Sequence, residues 1–349
     1  MISNEKKIKM AVIGSGAIAE EGYLPAAQGL HGLEVSHLVD LDAGRVAAAA
    51  ERFGIAHHLT DYRGLFDAVD AVVVATPPAS HAAISKDMLN HGVHVLCEKP
   101  LAMTVEEAKS MVDTAARTGI HLSAGLVRRL AWSAQTMHRL IANGVLGIIV
   151  GFDVIEGWEF NWPLRTGHLF KNDNARGVIA DTGPHLFDLV LWLLGSRQAT
   201  VDSCRDDNRG GIEANAHIEL AVRCGDRDIQ GRMELSFTRR LRNTIKIFGE
   251  TGCLEASTVG ASKLNFYPAG DSGRPIVMTP EGDTPIGKHD GFKQLLQDFV
   301  VSFEGSQRRD VPAEEAIAVM EIIEACYQVR RPEVHSWERL HLEHVFGKA

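Results

Sequence analysis

The stretch Lys9–Ala19, KMAVIGSGAIA, limits what this chain can fold into more than any other. Ile8, Met10, Ala11, Val12 and Ile13 form a short apolar run, the pattern of a strand buried on both faces of a parallel sheet. The run leads straight into Gly14-Ser15-Gly16-Ala17-Ile18-Ala19, a G-x-G-x-x-A sequence. Gly14 permits the tight turn out of the strand, Gly16 lets backbone approach a pyrophosphate, and Ala19 lets the following helix pack close to the sheet. The amides of Ala17 and Ile18 open that helix and would face the phosphates. About twenty residues on, where a ribose-binding acid is expected, a second apolar strand, Leu33–Val39, ends at Asp40. The combination predicts a dinucleotide site. Asp40 would stand where a 2′-phosphate must go, with Asp42 beside it and Arg45 the one close cation, so the expected cofactor is NAD rather than NADP.

With 349 residues the chain suits two domains with a sizeable core. The net charge of −9 argues against nucleic acid or an anionic membrane as partner. Five cysteines without a C-x-x-C predict reduced thiols in a cytoplasmic protein, neither a disulfide framework nor a zinc site. No secretory leader or membrane span is read, the most apolar stretch, Leu186–Leu194, being short and holding Asp188. No metal site is expected: His341, Glu343 and His344 read as solvated surface.

Through residue 127 strands and helices alternate. Ala43–Phe53 is an alanine-rich helix stopped by Gly54. Ala71–Ala75 is a β-branched strand ending at Thr76-Pro77-Pro78, so Thr76, Pro77 and His81 are expected beside the cofactor, where strands of an open parallel sheet end. His94–Cys97 delivers Glu98-Lys99-Pro100, with Pro100 a candidate cis proline. An ammonium fixed there, at Lys99, would polarise a substrate oxygen. Val105–Thr118 is a helix with Thr104 as N-cap, Glu107 three residues later and Gly119 as stop.

Beyond residue 128 the pattern changes. Ser133–Asn143 reads as a helix, followed by extended stretches at 148–156, 199–203, 214–223, 227–237, 243–248 and 252–255. Hairpin punctuation such as Cys224-Gly225-Asp226 points to an antiparallel sheet. Helices at 292–303 and 313–329 follow, making an α+β second domain. Within it, Asp181 and His185 lie four residues apart. If the stretch is helical they share one face, and the carboxylate would orient the imidazole for proton transfer.

GSGAIA, VVVATPPASH, EKPLAM and the D-x-x-x-H of Asp181 and His185, in this order, resemble the Gfo/Idh/MocA oxidoreductases, the family of glucose–fructose oxidoreductase and inositol dehydrogenase. The resemblance spans nearly the whole chain. It implies an α/β protein with an N-terminal doubly wound Rossmann sheet over 1–127. Residues 128–349 would form a C-terminal α+β domain on a large, mostly antiparallel sheet, with the substrate cleft between the two. Lys99, Asp181 and His185 match the family's catalytic lysine, aspartate and histidine, and Glu98 and Lys99 border its cofactor site. Gly125–Leu130 resembles its arginine-containing turn, with Leu130 and Trp132 in place of the usual Phe and Pro.

The implied reaction is NAD-dependent oxidation of a secondary hydroxyl in a sugar, cyclitol or nucleotide-linked sugar. His185 would take the hydroxyl proton, Lys99 would stabilise the alkoxide and Asp181 would hold the imidazole. Arg128, Arg129, Trp158, Trp162, Arg165, His168 and Lys171 are candidate substrate contacts, the indoles as platforms for sugar rings and the arginines for carboxylate or phosphate. A redox-neutral glycoside-cleaving enzyme with tightly held NAD, or a sugar-sensing regulator without catalysis, are the other classes this sequence fits. A sheet with helices on one face predicts a homodimer or homotetramer through the other.

Overall fold

The computed structural model describes residues 7–163, 176–208, 212–260, 262–270, 273–281, 288–305 and 310–333. The apolar runs of the first half become β1 Ile8–Ile13, β2 Leu33–Val39, β3 His57–Leu59, β4 Ala71–Val74, β5 His94–Glu98 and β6 Leu122–Gly125. They form one sheet in the order β3-β2-β1-β4-β5-β6 with every pairing parallel. The winding of strand order reverses between β1 and β4, opening the crevice where ligands of such sheets bind.

Caps set the ends of two of the connecting helices. The first opens with a π-helical turn, Ala19–Tyr23, and runs into α1 Leu24–Ala27. In α2, Ala43–Phe53, the Asp42 carboxylate accepts the Arg45 amide and Gly54 closes the helix in the left-handed region. Then come α3 His81–Asn90 and α4 Val105–Thr118, where Thr104 Oγ1 accepts the Glu107 amide at 3.1 Å.

The second half begins with α5 Trp132–Ala142 and β7 Ile149–Gly157. The stretch around Asp181 and His185 is two helices, α6 Val178–Asp181 and α7 Gly183–Leu193. They part at Thr182, where Gly183-Pro184 can start a helix but not continue one. Seven further strands follow: β8 Ala199–Asp206, β9 Asn215–Cys224, β10 Arg227–Ser236, β11 Thr244–Gly249, β12 Gly252–Ser257, β13 Leu264–Pro268 and β14 Ile276–Met278. After them come α8 Lys288–Glu304, α9 Ala313–Val329 and β15 Arg330–Pro332. The nine strands β7–β15 form a mixed sheet, order β14-β13-β12-β11-β7-β10-β9-β8-β15, antiparallel except at β7–β10 and β8–β15.

One face of this sheet is covered, with Phe152, Val154 and Glu156 of β7 buried. The alternate positions are partly exposed and carry ion pairs, Arg232 with Asp153 at 2.9 Å and Lys246 with Glu255 at 2.7 Å.

The chain does not divide cleanly at residue 127. Phe292, Leu295, Leu296 and Phe299 of α8 share a core with Val12 and Leu96 of the first sheet and with Tyr23 of the helical turn after β1. Just before α9, Val311 accepts the Ala124 amide at 3.0 Å, and Glu324 on α9 caps α4 by accepting the Val105 amide at 2.8 Å. Two late helices therefore bind the halves together. No described helix is long and apolar enough to cross a membrane.

Candidate active site

The dinucleotide cradle is built at the carboxyl ends of β1, β2 and β4. Gly14 has φ +100°, and a Cβ on it would stand 2.5 Å from the Ala75 carbonyl oxygen. A Cβ on Gly16 would meet nothing within 4 Å, which leaves that backbone open to a ligand. The amides of Ala17 and Ile18 begin the helix beyond it and have no intrahelical partner. Asp40 Oδ2 accepts from the amide and the hydroxyl of Ser15, each at 2.9 Å. Its other oxygen accepts the Asp42 amide at 3.0 Å and lies 3.4 Å from Arg45 Nη2. A cavity of about 520 Å³ opens beside it, lined by Glu20, Asp42, Arg45 and Arg52 among others. These features fit a dinucleotide.

Thr76 and Pro77 lie at the end of β4, where the Ser80 hydroxyl is 2.7 Å from Thr76 Oγ1 and 2.8 Å from the Pro77 carbonyl. His81, expected against the cofactor, is fully buried. Its ring nitrogens lie 2.9 Å from the Pro100 carbonyl and 2.8 Å from that of Thr76, tying the two loops together from behind. Glu98 also turns inward: Oε1 accepts the Tyr23 hydroxyl at 2.7 Å and Oε2 the Lys99 amide at 2.9 Å. Burial raises the Glu98 carboxyl pKa above its ordinary value. Both residues shape the cradle from beneath it rather than facing into it. The Lys99–Pro100 peptide is cis.

Lys99 leaves β5 and reaches the second half of the chain. Its Nζ donates to the Asp181 carbonyl at 2.8 Å and to Asp181 Oδ1 at 2.9 Å. Asp181 thus holds the ammonium, not the imidazole. The one-helix geometry that would have joined it to His185 is broken at Thr182, and His185 Nδ1 is buried with no hydrogen-bond partner among the described residues. Burial, then the Arg128 and Lys99 charges, hold the His185 pKa well below its ordinary value, so the ring is neutral.

Arg128 makes a two-pronged ion pair with Glu156, which is fully buried at the end of β7. Arg129 is buried too: Nε donates to Asp188 Oδ2 at 2.8 Å, Nη2 to Asp188 Oδ1 and Nη1 to Glu315. With its guanidinium committed to α7 and α9, Arg129 anchors the helix that carries His185 and does not face a substrate, contrary to the sequence expectation. Trp158 extends the pairing of β7 with β10 through its amide, 3.1 Å from the Ser236 carbonyl. Trp162 follows, half-buried. Arg165, His168 and Lys171, like the tail histidines, lie outside the described residues. Among the described residues no cluster of His, Cys, Asp or Glu could hold a metal.

Sequence reading missed Tyr23, Glu156, Asp188 and Glu213 as parts of this framework. Two carried a signal: Glu156, a lone acid in register with Phe152 and Val154 on an otherwise apolar strand face, and Asp188, the lone acid in the apolar stretch Leu186–Leu194.

The profile of an oxidoreductase family with an NAD-binding Rossmann fold, GFO_IDH_MocA, matches residues 8–126, and that of the GFO/IDH/MocA C-terminal domain matches residues 134–255. The D-xylose 1-dehydrogenase (NADP(+)) 2 of Haloferax volcanii is 24% identical over 326 residues, covering 91% of this chain and 95% of its own. The 1,5-anhydro-D-fructose reductase of Ensifer adhaerens is 28% identical over 320 residues, 88% and 92% of the two chains. Among solved structures, an oxidoreductase domain protein from Kribbella flavida aligns with a TM-score of 0.81 at 25% identity, covering 93% of this chain and 97% of that one. Both halves of the sequence and both sheets of the fold agree: the chain belongs to the GFO/IDH/MocA family of oxidoreductases.

Proposed function

We propose that the protein is an NAD-dependent dehydrogenase that oxidises a secondary hydroxyl of a sugar, cyclitol or nucleotide-linked sugar. The observation that carries this reading is the meeting of Lys99 with the α6–α7 turn beside a neutral His185, at the strand ends where the glycine cradle opens. The relatives named for D-xylose and 1,5-anhydro-D-fructose support the substrate class.

Gly14, Gly16, the Ala17 and Ile18 amides and Asp40 would hold the dinucleotide. When bound, its nicotinamide supplies the acceptor for the hydride leaving the carbinol carbon. The protein's own groups manage the proton and the charge. With Nδ1 of His185 enclosed, Nε2 is the atom that takes the hydroxyl proton. The Lys99 ammonium, held in place by Asp181, stabilises the alkoxide as it forms. Arg128 lies near enough to depress the His185 pKa, and its remaining N–H groups are available to substrate oxygens. Trp158 and Trp162 offer ring platforms.

Several finer features belong to the same proposal. The cofactor is NAD, read from Asp40, with Arg45 close by. The protein assembles as a homodimer or homotetramer through the partly exposed face of the second sheet. It works in the cytoplasm, consistent with five free thiols.

A panel of sugars, cyclitols and nucleotide sugars, assayed with NAD for reduced-nicotinamide absorbance, tests the reading. Turnover is expected with at least one carbohydrate and with no small 2-hydroxy acid. Absence of reduction across the panel by protein that binds NAD would overturn it.

A further inference from the structure

Glu213 has no exposed surface, lies outside every motif and reaches no ligand site, yet it takes up the start of the turn that carries Asp181. Its Oε1 accepts the Gly177 amide at 2.8 Å and the Ile179 amide at 3.2 Å, while its backbone carbonyl accepts the Val178 amide at 3.0 Å. Three successive amides at the start of α6 thus end on one residue, where water or a capping side chain would normally satisfy them. The fit is close: a Cβ on Gly177 would lie 1.8 Å from the Glu213 carbonyl oxygen. The Tyr327 hydroxyl donates to the same Oε1 at 2.7 Å, fixing the carboxylate from α9. Beside it, Arg176 lies over the Tyr327 ring and donates to the Met103 carbonyl at 2.8 Å, in the loop that follows Lys99. From this seat one turn of backbone, with the Asp181 amide on the Gly177 carbonyl at 3.1 Å, reaches the groups that grip Lys99.

Glu213 Oε2, by contrast, has no hydrogen-bond partner among the described residues. Burial raises the carboxyl pKa, with the Tyr327 hydroxyl and the Ile179 and Gly177 amides pulling it back. An enclosed, half-satisfied acid costs stability.

We propose that Glu213 is a positioning residue for the catalytic centre: it sets the α6 turn so that the carbonyl and carboxylate of Asp181 together hold the Lys99 ammonium. It touches neither substrate nor cofactor. The inference rests on the proposed role of Lys99, but its test needs no turnover.

The reactivity of Lys99 toward acetic anhydride at pH 8, measured by mass spectrometry relative to Lys246 in the same molecules, reports the grip directly. Lys246 is ion-paired with Glu255 on the second sheet and serves as the internal reference. In Glu213→Ala the ratio should rise on the order of tenfold, the effect of loosening a charge-assisted hydrogen bond to the amine. Glu213→Gln, which keeps an Oε1 acceptor, should stay within roughly twofold of the parent because the seat of the turn is preserved. NAD binding by calorimetry should be unchanged in both, because the glycine cradle is not touched. A folded Glu213→Ala protein with an unaltered Lys99 to Lys246 ratio would overturn the proposal. If that variant does not fold, Tyr327→Phe decides: a raised ratio supports the seat and an unchanged one refutes it. Loss of dehydrogenase activity with the ratio unchanged would count against Glu213 as well. A raised ratio in a protein that oxidises no carbohydrate would instead leave the seat standing and refute the functional reading.

Discussion

On the cofactor side of the site, Asp40 is fixed by Ser15 and by Asp42, residues within the same βαβ unit, and Gly14 is shaped by the strand end at Ala75. On the α6–α7 side, Asp181 is fixed by Lys99, 82 positions away, and Arg129 holds α7 through Asp188, 59 positions away. The first side is a local construction repeated wherever a strand feeds a glycine turn. The second is assembled from the whole molecule, with β7 and the loop before β9 contributing the buried acids Glu156 and Glu213 and α9 the half-buried Glu315. Damage to the first should show as lost cofactor binding. Damage to the second should show as lost turnover with the cofactor still bound.

His185→Ala breaks the second side at its centre. It should lower kcat by roughly 10²–10⁴-fold, the range for a lost general base, while calorimetry shows NAD binding unchanged. A variant with near-normal turnover would move the proton acceptor elsewhere. Next in size, Asp188→Ala leaves the Arg129 charge buried without its main partner and should destabilise the fold by about 3–5 kcal/mol in denaturant titration. The exposed pair Arg223–Asp228 offers the contrast, since Arg223→Ala should cost about 0–1 kcal/mol. Equal losses at the two sites would mean that the buried network anchors nothing.

On the cofactor side, kcat/KM should favour NAD over NADP by roughly a hundredfold, from carboxylate and phosphate meeting at Asp40. Asp40→Ala should reduce that preference sharply, because Arg45 is then left to meet the 2′-phosphate. Equal efficiency of the parent with both cofactors would show that Arg45 already neutralises the acid. The smallest effect is in the pH profile. Since the folded-state pKa of His185 is depressed, its base form persists as pH falls through 6.5, so the acid limb of kcat/KM should lie below that ordinary histidine value. A limb at or above 6.5 would place the ring outside the cationic pocket formed by Arg128 and Lys99.

The same contrast governs what the sequence discloses. Thr104 with Glu107, the alanines of 43–53 with Gly54, and the run Ala71–Ala75 declare their structure through near neighbours, and α4, α2 and β4 lie where those patterns place them. The Lys99–Pro100 peptide, a candidate from its loop context, is cis. The unpredicted elements owe their form to tertiary pairing: β15 is Arg-Arg-Pro, a sequence with no strand preference, extended because it lies beside β8. For Asp181 the spacing suggests His185 as partner where the structure gives Lys99, because it assumes one helix where Thr182-Gly183-Pro184 makes two. Tyr23 and Glu213 had no periodicity or motif to mark them. Their importance lies in groups far away in the chain.

The central claim is that Lys99 from the first sheet and His185 from α7 act on one oxygen in one step. Kinetics of Lys99→Met, His185→Ala and the double variant on an oxidisable carbohydrate test it most directly. Each single change should cost roughly 10²–10⁴-fold in kcat, and the double variant should be little slower than the worse single one, because groups acting as a unit are not additive. Losses that multiply in the double variant would contradict the account and assign the two residues to separate steps.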